Sequence, residues 1–167
     1  MLNRIKIMRV TVMVSLILSL TACGFHLRGT NALFDGTNTV YIAAPDSSFV
    51  NKLHDALVAS GASVLSAPDG ADMIVDISNA KFTRSVGTLD ERGITDSFQL
   101  RFTVSYSVLD SSSALLKEPV VLTEDRQYVF ESQFVLESEQ EQLALRKSME
   151  DDISQRVVRQ LSAIDVN

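Results

Sequence analysis

Between Phe98 and Val108 the chain alternates without a break. Phe98, Leu100, Phe102, Val104, Tyr106 and Val108 fall on one side of an extended backbone, and Gln99, Arg101, Thr103, Ser105 and Ser107 on the other. Successive side chains of a strand point to opposite faces, so this stretch is read as a strand that buries one face and leaves the other to hydrogen-bonding groups. A helix would spread the same six apolar residues around its circumference. A sheet with one apolar face needs a cover, and the cover has to come from elsewhere in the chain.

The flanking segments supply it. Thr39-Val40-Tyr41-Ile42-Ala43 has the β-branched and aromatic content of a first strand, ended by Ala44-Pro45, with Asp46 or Ser47 placed to cap a helix. Phe49, Leu53, Ala56 and Leu57 share one helical face and Gly61 is placed to stop it, which predicts a helix from Ser48 to Ser60. After a turn at Ala67-Pro68-Asp69-Gly70, the residues Met73, Val75 and Ile77 begin a second strand that Phe82 and Val86 extend. The loop Gly87 to Asp96 then forms the tip of a long hairpin.

Asp110 to Ser113 and Lys117-Glu118-Pro119 bracket the next connection, and a fourth strand is expected from Val120 to Glu131, with Leu122, Tyr128 and Phe130 on one side. Glu124 and Arg126 fall on that same side, so the pattern sets this strand's register less firmly. Ser138-Glu139-Gln140-Glu141 matches a capping box, and Leu145, Met149, Ile153, Val157, Leu161 and Ile164 recur at helical spacing. The order β-α-β-β-β-α predicts an α+β two-layer sandwich: a mainly antiparallel four-stranded sheet with two helices on one face and a polar opposite face.

The N-terminus has a different character. A basic opening (Arg4, Lys6, Arg9) leads into the apolar run Val10 to Leu20 and then into small residues, the layout of a secretory signal peptide. The run is about half the roughly 20 residues needed to cross a bilayer. Leu20-Thr21-Ala22-Cys23 resembles the bacterial lipobox, which implies cleavage before Cys23 and attachment of diacylglyceryl and N-acyl chains to that residue. Each buried acyl CH₂ contributes about 0.8 kcal/mol, so two or three chains hold a protein firmly to a membrane. An Asp after the cysteine is the usual inner-membrane retention signal, and Gly24 stands there instead. The expected layout is a signal peptide over 1–22, a lipidated N-terminus and linker over 23–38, and one domain over 39–167, anchored on the periplasmic side of the outer membrane. Fifteen linker residues reach about 50 Å at most, which keeps the domain near the bilayer.

Cys23-Gly24-Phe25-His26-Leu27-Arg28-Gly29 is similar to the mature start of the LptE family of lipopolysaccharide-assembly lipoproteins. The resemblance implies a non-enzymatic subunit that complexes with the outer-membrane β-barrel LptD, acts as its plug and assembly partner, and helps deliver lipopolysaccharide to the outer leaflet. It also implies that the hairpin region contacts lipopolysaccharide, with Arg92 at a basic position of the family. At a second such position, near the start of the last helix, this chain has Glu137 and Ser138.

Charge and residue inventory restrict the alternatives. The leader takes three of the 15 basic residues and none of the 21 acidic ones, which leaves 12 against 21 and a mature formal charge of −9. That opposes nucleic acid as a partner. Cys23 is the only cysteine; once lipidated it leaves no thiol for a disulfide or a thiolate metal site, and no cofactor other than the covalent lipid is expected. His26 and His54 are read as surface or interface residues, and neither a nucleophile elbow nor a zinc-protease motif is present. The other readings are a periplasmic lipoprotein enzyme and a stand-alone carrier of lipid or peptide. Only the stretch from Lys81 to Arg101 departs from the acidic average, with Lys81, Arg84, Arg92 and Arg101 against Asp90, Glu91 and Asp96. These four cations are the candidate lipopolysaccharide contacts, since guanidinium forks suit phosphate oxygens.

Overall fold

β1 (Thr39–Ala43) leads into α1 (Ser48–Ala59) and the short β2 (Ser63–Leu65). Three long strands follow, β3 (Met73–Leu89), β4 (Thr95–Leu109) and β5 (Leu115–Val129), and α2 (Val135–Leu161) comes last. The computed structural model describes residues 33–34, 38–45, 47–130 and 135–164. The leader, Cys23 and nearly all of the linker lie outside them.

The five strands form one mixed sheet in the order β2-β1-β3-β4-β5. β1 pairs in parallel with both β2 and β3, while the long β3, β4 and β5 pair antiparallel. The architecture is the expected α+β, with one strand more than the four the periodicity shows. β2 has three residues, too few to display a period. It forms because the Ser63 N–H donates to the Asn38 carbonyl at 3.0 Å and Val64 then pairs with Val40.

Local chemistry sets the ends of α1. The Ser47 side chain accepts from the Val50 N–H at 3.3 Å. At the other end Gly61 takes φ 90°, and Gly61 and Ala62 donate to the carbonyls of Val58 and Leu57, a left-handed stop that suits glycine. α2 starts earlier than the capping-box pattern predicts. Ser138 lies inside the helix and is buried, not at its cap. Serine in a helix interior costs only about half a kcal/mol relative to alanine, so the pattern alone does not mark a helix start.

β5 begins at Leu115, ahead of the expected Val120. Tyr106 pairs with Val120 and Val108 with Lys117, so Glu118 and Pro119 together oppose Ser107 in a bulge. Proline is tolerated there because β5 is an edge strand.

Both helices pack on one face. Val40, Met73, Val75, Leu100, Phe102, Val104, Tyr106 and Val108 point into the core, where they meet Phe49, Leu53 and Leu57 of α1 and Met149, Ile153, Val157 and Leu161 of α2. The Phe49 and Phe102 rings meet edge to face at 5.4 Å. The Tyr106 hydroxyl donates to Gln160 Oε1 at 2.5 Å, and burial pushes it up to about 12. Phe34 also belongs to this core, and its N–H donates to the Ser60 carbonyl. Packing therefore starts ahead of Thr39.

The opposite face is not uniformly polar. Leu65, Tyr41, Ile74, Leu109 and Leu115 stand in register across all five strands and make an apolar row on it. No single segment carries more than one or two members of this row, so no local pattern reveals it. Beyond the row, on β3, β4 and β5, this face carries Lys81, Thr83, Ser85, Gln99, Arg101, Thr103, Ser105, Thr123, Asp125 and Gln127.

Candidate interaction surface

The four basic residues singled out in the hairpin region go to three different places. Lys81 and Arg101 lie on the outer, polar sheet face as diagonal neighbours, since Lys81 pairs with Thr103 and Thr83 with Arg101. Arg101 is engaged there: its Nε and Nη2 donate to the two carboxylate oxygens of Asp125 at 2.7 and 3.2 Å. This two-pronged bond holds the Asp125 carboxyl below the usual carboxylate range and raises the guanidinium above its own. Lys81 has no ion-pair partner among the described residues.

Arg84 turns the other way. It pairs with Leu100 on the face that the helices cover, sits 4.5 Å from the Phe98 ring centroid, and donates through Nη1 to Gln142 Oε1 at 2.7 Å. The same Gln142 oxygen accepts from the Tyr128 hydroxyl at 3.2 Å. Arg84 thus joins β3 to α2, a packing role that its sequence position does not disclose.

Arg92 stands at the hairpin tip, with 79% of its side chain exposed. Asp90 organises this turn by accepting from the N–H groups of Arg92 and Ile94, each at 2.9 Å, while Gly93 takes φ 78°. Those bonds, with the one from the Ile94 N–H foremost, hold the Asp90 carboxyl below its ordinary value. The Arg92 guanidinium folds back on Asp90 at 3.0–3.1 Å. Such an exposed pair is screened by solvent and contributes little, so an incoming anion can displace it.

The pattern of the sequence misses a charged cluster between β5 and α2. Glu124 is 7% exposed and takes one guanidinium from Arg126 and another from Arg156. Arg126 also reaches Asp152 at 2.9 Å. A second buried acid, Glu150, accepts from Arg146 Nε at 3.0 Å and from Ser48 Oγ at 2.9 Å, tying α2 to the start of α1. The inward phase of Glu124 was the available signal, because an acid at a core position of a strand needs a cation from the layer above it.

His54 lies exposed on α1 beside Asp55, with 3.3 Å between Nδ1 and Oδ1, and His26 is outside the described residues. A cleft of ≈ 200 Å³ at the start of α1 is lined by Ala44, Pro45, Ser47, Val50 and residues 77–80 of β3, with no titratable side chain among them. Among the described residues no three His, Cys, Asp or Glu side chains gather as a metal site would require.

Against known proteins, a family model described as LptE, lipopolysaccharide-assembly, matches residues 37–161, from just before β1 to the end of α2. The chain belongs to this family. Among solved structures, lipoprotein B from Nitrosomonas europaea superposes with a TM-score of 0.70 at 28% identity, over 84% of this chain and 91% of that one. A minor lipoprotein from Acinetobacter baumannii gives 0.63 at 24% identity, over 75% and 91%. The rare lipoprotein B of Shewanella oneidensis gives 0.66 at 16% identity, over 75% and 95%; these last two share the fold. No curated protein matches the sequence. As a member of the LptE family, the chain takes part in lipopolysaccharide assembly.

Proposed function

We propose that this LptE-family chain is a non-enzymatic outer-membrane lipoprotein, anchored through acylated Cys23, that complexes with the β-barrel LptD as its plug and assembly partner during lipopolysaccharide delivery. The family match over the whole packed domain carries this reading. The polar sheet face supports it. A barrel lumen is polar and watery, and a domain inserted there presents hydrogen-bonding side chains such as Gln99, Thr103, Ser105 and Gln127 to it. The tether agrees, since the residues between Cys23 and Phe34 reach about 40 Å when extended.

Affinity capture from membranes solubilised in mild detergent tests the partnership. One predominant barrel protein is expected in the eluate, and recovery of the lipoprotein alone, at near-quantitative yield in several detergents, would overturn it. Intact-mass analysis of the purified chain tests the anchor; the acylated species starting at Cys23 is expected, and an unmodified Cys23 or another N-terminus refutes it.

Direct contact with lipopolysaccharide is the finer part of the proposal, and it centres on Arg92. Of the four basic candidates, Arg92 combines high exposure with a position at the tip, free of the helical layer. Lys81 and Arg101 offer a second cationic spot on the outer face, whereas Arg84, though exposed, is already engaged by Gln142 and the Phe98 ring.

A further inference from the structure

The outer edge of β5 pairs with no strand among the described residues. A long open edge is a template for another strand, and proteins normally blunt it with proline, lysine, bulges or inward-pointing charges. In β5 the first three devices are confined to its beginning, at Lys117, Pro119 and the two bulges. From Val120 to Val129 the strand is regular and paired residue by residue with β4. Its open side is predictable: Phe130 donates its N–H to the Asp96 carbonyl on the β4 side. By the two-residue alternation of an antiparallel ladder, the N–H and C=O groups of Val129, Gln127, Asp125, Thr123 and Val121 therefore point outward.

The residues of this edge form a chemical palindrome about Asp125. Reading outward from it, Glu124 is matched by Arg126, Thr123 by Gln127, Leu122 by Tyr128, Val121 by Val129 and Val120 by Phe130. Two copies laid edge to edge, antiparallel, with a two-fold axis at Asp125, bring each of these pairs face to face. Acid meets base on the helix-covered side. On the other side Val121 meets Val129, and these two are 64% and 63% exposed in the single chain although they lie on an otherwise polar part of the sheet. Asp125 meets its own copy, but each carboxylate is already held by the Arg101 of its own chain. Inward-pointing charges that would repel a foreign strand thus select a second copy of this one, in a single register.

We propose that β5 is a self-association edge through which two copies join their sheets, centred on Asp125. The proposal stands independently of the barrel partnership, and pairing through this edge covers a surface the plug would otherwise leave open before it meets its partner. Register-specific cross-linking tests it on the full chain purified in mild detergent and freed of any barrel protein. Asp125→Cys places two thiols directly opposite, with about 5.5 Å between Cα atoms, within the range a disulfide spans. Mild oxidation is expected to give a linked species of twice the mass. Val121→Cys alone is expected to give none, and Val121→Cys combined with Val129→Cys to restore it while leaving Asp125 in place. Thr123→Pro, added to Asp125→Cys, removes an outward N–H without touching the β4 ladder and is expected to reduce the linked species at least tenfold. The proposal fails if Asp125→Cys stays single while its thiol reacts with a maleimide. It fails equally if Val121→Cys alone cross-links as well as the pair, or if Thr123→Pro leaves the yield unchanged.

Discussion

Thr39 and Asp72 lock the entrance of the sheet to each other. The backbone N–H and the hydroxyl of Thr39 both donate to Asp72 Oδ2, at 2.8 and 2.6 Å, and the Asp72 N–H returns a bond to the Thr39 carbonyl at 3.0 Å. The exchange sets β1 beside β3 just before their parallel register begins at Val40 and Met73.

This pair makes part of the acid sensitivity predictable. The Thr39 hydroxyl, and then its N–H, hold the Asp72 carboxyl below its ordinary value; Asp90, Asp110 and Asp125 are lowered as well. A carboxyl with a lower pKa folded than unfolded stabilises the fold above its unfolded value near 4, and that contribution disappears as pH falls through the folded value. Asp72→Asn is expected to lower Tm by about 2–4 °C at pH 7, the equivalent of about 1 kcal/mol. The difference should shrink steadily below pH 4, and thermal melts across pH 2–7 check it. A gap that stays constant down to pH 2 would show that the charge of Asp72 has no part in it.

Gly87 is constrained by space. It is the extra residue where the register shifts between Val86 and Thr88, and a Cβ on it would lie 2.6 Å from Ser97 Oγ and 3.2 Å from the Ser97 carbonyl oxygen. Ser97 is buried and cannot simply swing away, because its hydroxyl accepts from the Thr88 N–H and from Gln127 Nε2. Gly87→Ala is expected to cost about 1–3 kcal/mol in urea denaturation. Adding Ser97→Ala should recover only part of that, since the carbonyl contact remains.

The elements were legible where one face of a long segment is buried. Phe102 and its neighbours alternate strictly and form β4, while Phe49, Leu53 and Leu57 recur at helical spacing and form α1. What escaped the sequence depends on partners distant along the chain. β2 exists through Asn38 and Val40, and the outer apolar row exists only once the five strands are in register. The candidate cations were found by composition, which cannot say that Arg84 and Lys81 face opposite sides of β3. Alternation alone separates the two, but which face each takes follows from counting pairs along the ladder past the bulge at Ser78, which shifts the phase of the strand.

Glu124 explains why β5 keeps a register that its sequence leaves open. With Arg126 beside it and Arg156 above it, the acid is paired in place, so the core phase of Leu122 and Tyr128 survives. Glu124→Ala leaves Arg126 with Asp152 alone and Arg156 without an ion-pair partner among the described residues, and a loss of about 1–3 kcal/mol is expected in urea denaturation, reduced from the cost of a fully buried pair because both arginines are partly exposed. Asp152→Ala removes only the exposed partner and should cost about 0–1 kcal/mol. Equal losses for the two variants would contradict the central place of Glu124.

Arg92 and Arg84 separate a binding role from a packing role within one hairpin. The Arg92 side chain is largely exposed and bound only to Asp90, so Arg92→Glu is expected to leave Tm and barrel capture nearly unchanged. If the tip meets a phosphate of lipopolysaccharide, the lost charge-assisted contact is worth about 1.5–3 kcal/mol, a roughly ten- to hundredfold weaker Kd at moderate salt. Arg84→Glu strips Gln142 of a donor and Phe98 of its stacked cation, so Tm should fall by several degrees, and any loss of binding should track the fraction unfolded. Titration of each variant with purified lipopolysaccharide, alongside its thermal melt, distinguishes the two. Unaltered affinity in Arg92→Glu would remove the tip from the glycolipid site and leave the partnership with the barrel to stand by itself.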